Sequence, residues 1–356
     1  MSLFPVPRYL AMPAVGFDIS DDAVRFMELV PRGDHFEVAR YATRNFPLGV
    51  INEGHIRDKK KLQETIASLA KDFKLTFANV ALPEEQAYLV NMKVPKVSPN
   101  ALRSAIELQL EENVPISGAE AIFDYIVIGD PDRDRDHIDV VVSVLPRLAV
   151  EEYLSIFHDT GIEPRAFEFE SQAMARSIIP QGENGTVMVA DVGKMVTEIF
   201  VVAHGVVQFS ASLDVGGHFL TQSISRGMKV TYEEAEDLKI KHGILENEQS
   251  KQVYESMEPV VQDLRMRFMR HYSYWQTHHG EKVGGNIERV YLTGGGANLK
   301  GLPEYIASQL DVPVEIANPW VNVASFDHYV PPLTQQESLG YAAAIGLALR
   351  NKDQVV

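Results

Sequence analysis

The 356-residue chain contains no cysteine. That absence excludes a disulfide framework, a cysteine-ligated zinc site and a thiol nucleophile, and it fits a reducing compartment. Long apolar runs are missing as well: no stretch reaches the roughly 18 apolar residues expected of a membrane-crossing helix. The opening segment, Met1 to Ala14, carries Pro5, Pro7 and Pro13 and no apolar core, so no secretory signal is expected there. Positive charge is in short supply. The formal net charge of −16 argues against nucleic acid or anionic lipid as the main partner, because both would repel the chain. The one basic run, Lys59-Lys60-Lys61, opens a helical pattern and reads as a solvated face. Familiar catalytic signatures are absent too. There is no G-x-G-x-x-G, no Gly-Lys-Ser/Thr phosphate loop, no H-E-x-x-H and no G-x-S-x-G, and His278-His279 has no carboxylate at ligand spacing. Metal hydrolase and serine hydrolase readings are therefore poor.

The chain does hold 45% hydrophobic residues, a globular composition, and it is too long for one ordinary core. Two segments look alike. Val15-Gly16-Phe17-Asp18-Ile19-Ser20 leads into the apolar stretch Ala23 to Leu29, and Met188-Val189-Ala190-Asp191-Val192-Gly193 leads into Thr197 to Val202. Each reads as a strand, an Asp near its end, a tight turn and a second strand. His35 to Tyr41 and Gly205 to Leu213 supply a third strand to each half. In the first half a helix follows, with Leu62, Ile66, Leu69 and Phe73 on one face, then a strand over Asn79–Leu82.

Residues from about 84 to 165 read as a separate β-α-β-β-α-β module. Its strands are Gln86 to Val94, Ile122 to Ile128, Ile138 to Leu145 and Arg165 to Phe169. Its first helix starts at Ser98-Pro99 and aligns Leu102, Ile106 and Leu110; its second spans Glu151 to Thr160 and stops at Gly161. The charged stretch Asp130 to Asp136 reads as an exposed loop. A helix over Glu170–Ile179 and the turn residues 181–185 close the first half. In the second half Thr231 and Glu234 form a capping box, and Gly243 stops that helix. A long amphipathic helix then carries Val253, Met257, Val261, Leu264, Phe268, Tyr272 and Trp275 on one stripe. Arg289–Thr293 reads as a strand, Leu302–Leu310 as a helix, and Glu337–Leu349 as a closing helix whose Ala and Gly content suits close packing.

An Asp at a strand end beside a tight turn can hold Mg²⁺ through water, and turn amides can cradle phosphate oxygens. One such turn is weak evidence; two, each opening a similar half, are stronger. Gly294-Gly295-Gly296 after an apolar strand lets a base or sugar approach the main chain, and Gly216-Gly217 before a helix repeats that logic. An ordinary strand-to-helix turn is the plain alternative at both places. Glu236 and Lys239 share a helix face, where a solvated ion pair is the plain reading.

In this order the segments resemble the actin-like ATPase superfamily, which includes actin, Hsp70, sugar kinases and FtsA. Asp18 to Ser20 is similar to its first phosphate motif, Asp191 to Thr197 to its second, and Leu292 to Gly296 to its adenosine motif. Ala235-Glu236-Asp237-Leu238-Lys239 resembles the helix whose Glu and Lys flank the ribose and adenine. The module at 84–165 is similar to the inserted 1C domain of FtsA. Within the superfamily the likeness runs to the PilM-like proteins of type IV pilus assembly. It rests on Leu82-Pro83, Ile106-Glu107-Leu108 through Asn113-Val114-Pro115-Ile116, Gly216-Gly217 with Thr221, and the triple glycine. FtsA ends in an amphipathic membrane helix; the tail Arg350 to Val356 has no such pattern. Two positions depart from the family: Ser20 stands where Gly is usual, and Arg25 where Lys is usual. Ser20 restricts the turn, and Arg25 keeps the charge in a larger fork.

The resemblance implies an α/β, bilobed actin-like ATPase (ribonuclease H-like) fold with an inserted SHS2-type 1C α+β subdomain. Subdomain 1A would take 1–83 and 166–180, 1C 84–165, 2A 181–228 and 287–356, and 2B 229–286. It implies ATP with Mg²⁺ between the lobes. Asp18 and Asp191 would hold the metal; Ser20, Arg25, Gly193, Thr197, Gly216 and Gly217 would serve the phosphates. Glu236, Lys239, Gly294, Gly295 and Gly296 would take the adenosine, and Glu170 falls where many of these ATPases position water. A cytoplasmic adaptor is expected that binds the N-terminal cytoplasmic tail of PilN in a groove between 1A and 1C. It would reach the inner membrane through that partner, with no nucleic acid involved and with self-association open. An FtsA-like filament former, a nucleotide-degenerate scaffold and a sugar-kinase-type phosphotransferase stay open as rivals.

Overall fold

A computed structural model describes residues 14–129, 136–278 and 285–350. The expectations for the segment 1–13, the loop residues 130–135, His279 and most of the 280–286 loop, and the tail 351–356 lie outside the described residues. The first half runs β1 (Val15–Ile19), β2 (Ala23–Arg32), β3 (His35–Asn45), a small hairpin β4 (Ile51–Asn52) and β5 (His55–Ile56), α1 (Lys59–Phe73) and β6 (Phe77–Leu82). Next come β7 (Tyr88–Pro95), α2 (Pro99–Asn113), β8 (Ala121–Val127), β9 (His137–Pro146), α3 (Arg147–Ser155), β10 (Glu163–Phe169) and α4 (Glu170–Ile178). The second half is β11 (Val187–Val192), β12 (Thr197–Ala203), β13 (Val206–Leu213), α5 (Gly217–Met228), α6 (Tyr232–His242) and α7 (Lys251–His278). It finishes with β14 (Arg289–Thr293), α8 (Leu302–Ala307), β15 (Val314–Ile316), α9 (Gln335–Leu339) and α10 (Ala342–Leu349).

Two five-stranded sheets share one topology. The first has the order β10-β6-β1-β2-β3 and the second β15-β14-β11-β12-β13. In each, the opening strand pairs antiparallel with the strand after it and parallel with one from beyond a helix. These strands are covered on both faces: every residue of β1 and of β12 is buried, Asp18, Thr197 and Glu198 among them. The helix expected after the first three strands is α1. Asp58 caps it by accepting from the Lys61 amide at 2.9 Å, and Leu62, Ile66 and Leu69 are fully buried. The capping box of Thr231 with Glu234 opens α6, and Gly243 ends it at φ 61°.

Three expectations differ from the observed packing. The inserted module closes as a three-stranded sheet, β7-β9-β8, on which α2 buries Leu102, Ile106 and Leu110. The last two elements of the expected six belong elsewhere. Helix α3 turns Tyr153, with Ile156 and Phe157 after it, into the core of the first lobe, and β10 pairs in parallel with β6. Chain contiguity had suggested one unit; the apolar side chains of 153–169 face another core. Residues 320–333 and much of α10, expected with the second lobe, pack on the first, while Leu339, Ala342 and Ala343 stay in the second lobe's core. Trp320, Val323, Leu333 and Ile345 bury Met27 and Leu29, and the Phe36 amide donates to Val323 O at 2.9 Å. The expected closing helix is also two, α9 and α10, separated at Gly340-Tyr341. Helices α6 and α7 share the second lobe's core: Val253, Met257, Val261, Leu264, Phe268 and Trp275 lie in one cluster with the β11–β12 residues.

Two helices join the lobes. Helix α4 leads from β10 into β11, and α10 lies over β1, β2 and β6. They touch through main chain: a Cβ on Gly346 would collide with the Ala173 carbonyl of α4, and one on Gly16 of β1 with the Ala344 carbonyl of α10. Gly346→Ala should therefore cost about 1–3 kcal/mol by overpacking. Urea unfolding checks it, and an unchanged midpoint would show that the helices part without penalty.

Candidate functional site

The two Asp hairpins meet across a cavity of about 720 Å³ between the lobes. In the first, the Ser20 amide donates to Ala23 O at 3.0 Å and closes the turn after β1. Ser20 has an ordinary negative φ, so the departure from Gly introduces no left-handed strain. Arg25, paired with Asp18 in the β1–β2 register, folds back over the turn. It donates to Ser20 Oγ at 2.8 Å and stands 3.6 Å from Asp18 and 3.8 Å from Asp22.

In the second hairpin the Gly193 amide donates to Val196 O at 3.0 Å. The start of α5 is bound to this turn: the Gly217 amide donates to Gly193 O at 3.0 Å and the His218 amide to Lys194 O at 2.8 Å. Gly216 is small because a Cβ there would stand 2.6 Å from Lys194 O; it is not among the cavity-lining residues. The triple glycine follows β14, which pairs with β11 so that Thr293 lies beside Asp191. Gly294 has φ 80°, and a Cβ on it would strike the Asp191 carboxylate. A Cβ on Gly295 would meet nothing within 4 Å, which leaves its main chain open to the cavity.

Asp18, Ser20, Arg25, Glu170, Asp191, Gly193, Gly217, Glu236, Lys239 and Gly294 to Gly296 all line the cavity. Thr197 does not. It is 1% exposed, and its hydroxyl donates to Val215 O at 2.7 Å, so the expected phosphate contact is replaced by an internal bond. Lys239 is no solvated partner of Glu236. Its Nζ reaches Glu236 at 2.8 Å, Thr221 Oγ1 at 2.9 Å and Gly217 O at 3.2 Å, which ties α6 to the start of α5.

The floor is acidic. Burial raises the Asp191 carboxyl to about 7, with the Asp18 charge adding to it. Burial raises Asp18 as well, opposed by Arg25, and holds Glu170 well above the carboxylate range, with Asp18 again contributing. Glu198, opposite Asp191 in the β11–β12 register, is raised by burial, and its Oε2 has no hydrogen-bond partner. Such a set favours cations. Among the described residues no three carboxylate or imidazole groups stand close enough to ligate one ion directly. That suits Mg²⁺, which keeps most of its waters and takes one or two carboxylates together with substrate phosphates.

Sequence reasoning passed over several cavity residues: Glu85, Glu198, Lys194, Asp22, and the pair His218 and Tyr232, whose ring nitrogen and hydroxyl lie 2.9 Å apart. The readable signal was the Glu in the otherwise apolar run Thr197 to Ala203. Glu84, just before Glu85, is buried where β6 leaves the first sheet. It accepts from the Ser171 amide at 3.2 Å, at the start of α4, and from Ser210 Oγ of β13 at 3.4 Å.

The sequence pattern of the family described as "Type IV pilus assembly protein PilM" matches residues 16–352. The chain belongs to the PilM family. Its fold is similar to that in the structure "PilM-PilN type IV pilus biogenesis complex", at TM-score 0.79 and 22% identity, covering 96% of this chain and 98% of that one. It is also similar to the ethanolamine utilization protein EutJ from Carboxydothermus hydrogenoformans, at TM-score 0.55 and 16% identity over 96% and 93% of the two chains. MreB 5 of Spiroplasma citri bound to AMPPNP matches at TM-score 0.57 and 12% identity over 95% and 96%. The fold of this PilM family member is thus the bilobed actin-like one.

Burial lifts the Glu84 carboxyl to about 7 from its ordinary value of 4.5. Between those values the folded state holds a proton that the unfolded chain releases, so the wild type loses stability as pH rises through that window. Glu84→Gln should accordingly be more stable than wild type at pH 8, by roughly 1.4 kcal/mol per pKa unit of the shift, and equal to it near pH 4.5. Chemical denaturation at the two pH values measures this; a Gln variant less stable at pH 8 would reverse the assignment.

Proposed function

We propose that the chain is an ATP-binding adaptor of type IV pilus assembly that carries the tail of a PilN-type membrane protein. The observation behind the nucleotide site is the meeting of two Asp hairpins, one from each lobe, over a cavity bordered by open glycine main chain. Asp18 and Asp191 would hold Mg²⁺ through its waters, and the metal would neutralise phosphate charge. Ser20 and the amides of the two turns face the phosphates, while Glu236, Lys239 and Gly294 to Gly296 border the adenosine. Glu170, the first residue of α4, would orient a water; because burial holds its carboxyl well above the usual range, and so protonated, it is a poor base, and turnover is expected to be slow or incidental. Each lobe supplies half of the contacts, so nucleotide favours the closed arrangement of the lobes. The MreB 5 structure with AMPPNP supports a nucleotide reading through the shared fold.

The partner site is a groove of about 470 Å³ between β8 and β10. Both are edge strands of their sheets, a setting that takes an extended peptide. Phe123 and Tyr125 of β8 point into the module's own core, while Ile122 and Ile126 alternate to the other face. Phe167 and Phe169 form the opposite wall. The complex of a PilM with PilN supports a PilN tail as the occupant, and that partner would bring the chain to the inner membrane. Among the described residues no helix is long and apolar enough to cross a membrane. Because β10 runs directly into Glu170, closure of the cleft would be felt at the groove.

Calorimetric titration with ATP tests the first site: micromolar, Mg²⁺-dependent affinity in the wild type should fall at least tenfold in Asp191→Ala, and equal affinities would remove it. For the groove, a fluorescent PilN N-terminal peptide should bind at least tenfold more weakly to Ile126→Asp, which spares the module core. Unchanged peptide anisotropy would place the partner elsewhere.

A further inference from the structure

We propose that Lys194 is a movable phosphate-binding residue. It rests on Asp22 of the opposite lobe and exchanges that carboxylate for the polyphosphate of a nucleoside triphosphate. This rests on the nucleotide reading given above and names the cation that the reading lacks. The cavity wall carries Arg25, Lys194, Lys239, Lys241 and Lys300. Arg25 is held by Asp18, Ser20 and Asp22 of its own hairpin. Lys239 is 12% exposed and saturated by Glu236, Thr221 and Gly217. Lys300 donates to the Lys241 carbonyl at 2.8 Å, at the far end of α6. Lys194 differs from these. It follows Gly193 in the turn of the second Asp hairpin, its side chain is 42% exposed, and its Nζ meets Asp22 Oδ2 at 2.9 Å across the cleft.

Three features suit this pair to exchange. The ion pair is partly solvated, and such pairs are weak, whereas a polyphosphate presents several anionic oxygens and more negative charge to the ammonium than one carboxylate does. The backbone of the turn is fixed by the bonds from Gly217 and His218, so only the lysine side chain has to move. Asp22 keeps Arg25 when Lys194 leaves, so no carboxylate is stranded. The contact joins the β1–β2 turn to the β11–β12 turn, so exchange replaces a direct link between the lobes with one made through the ligand.

Exchange and a fixed latch predict opposite signs. Titration of the full chain with ATP and Mg²⁺ should show Lys194→Met weakened about tenfold or more and Lys194→Arg near wild type. Asp22→Asn should bind severalfold tighter, because its competing charge is gone. Melting curves confirm that each variant is folded; should Lys194→Met be unfolded, the tighter binding of Asp22→Asn still carries the test. Asp22→Asn weakened as much as Lys194→Met would mean a latch that the cleft requires, and overturns the exchange. Wild-type affinity in folded Lys194→Met also overturns it, with the nucleotide site intact. A wild type that binds no ATP removes the nucleotide reading and this inference together.

Discussion

A carboxylate taken out of water must be met by a cation or by hydrogen-bond donors, or it takes up a proton. In this chain Asp18, Asp191, Glu170 and Glu198 gather at the floor of one cleft, with Arg25 as the guanidinium beside them. Burial shifts these acids upward and their mutual repulsion adds to it, while the glycines around them answer to space. Gly294 in particular has to let the chain turn over Asp191 where any side chain would collide with it. The floor of the cleft thus holds more buried acids than the one guanidinium beside them can pair.

The two halves prepare that deficit by the same means. Each opens with a hairpin whose first strand ends in an Asp, each adds a third strand, and each pairs its opening strand in parallel with a strand from beyond a helix. The differences lie in what is hung on the plan. The first half carries the three-stranded module and the edge strand β10; the second carries α6 and α7 over its sheet. The groove between β8 and β10 and the cleft between the lobes are linked by a short path, since Phe169 of the groove precedes Glu170 of the cleft.

Much of this was legible from residues alone because it rests on local patterns. The strand pairs with their aspartates, the α1 stripe of Leu62, Ile66 and Leu69, the Thr231 capping box and the triple glycine can each be read in a window of a few residues. What escaped depends on distance along the chain. The Lys194–Asp22 contact joins residues of different lobes, so no spacing rule brings them together. Thr197 was read by its position in a motif, but the direction of its hydroxyl is decided by the Val215 carbonyl. Helix α3 and β10 were grouped with the module because they follow it in sequence, while Tyr153, Ile156, Phe157 and the β6 pairing hold them to the first core. Glu198 was visible as an acid in an apolar strand, yet its meaning needed Asp191 opposite.

The packing of Trp320, Leu333 and α10 on the first sheet bears on how the chain folds. One face of the first sheet, including Met27 and Leu29, is covered by Trp320, Leu333 and α10, which come after the whole of the second sheet in the chain. The strands that carry that face, β1 to β3, precede the second sheet. The first lobe therefore completes its core with residues from the far side of the second, and apolar surface left bare in such an arrangement is of the kind that mispairs or recruits chaperones during folding.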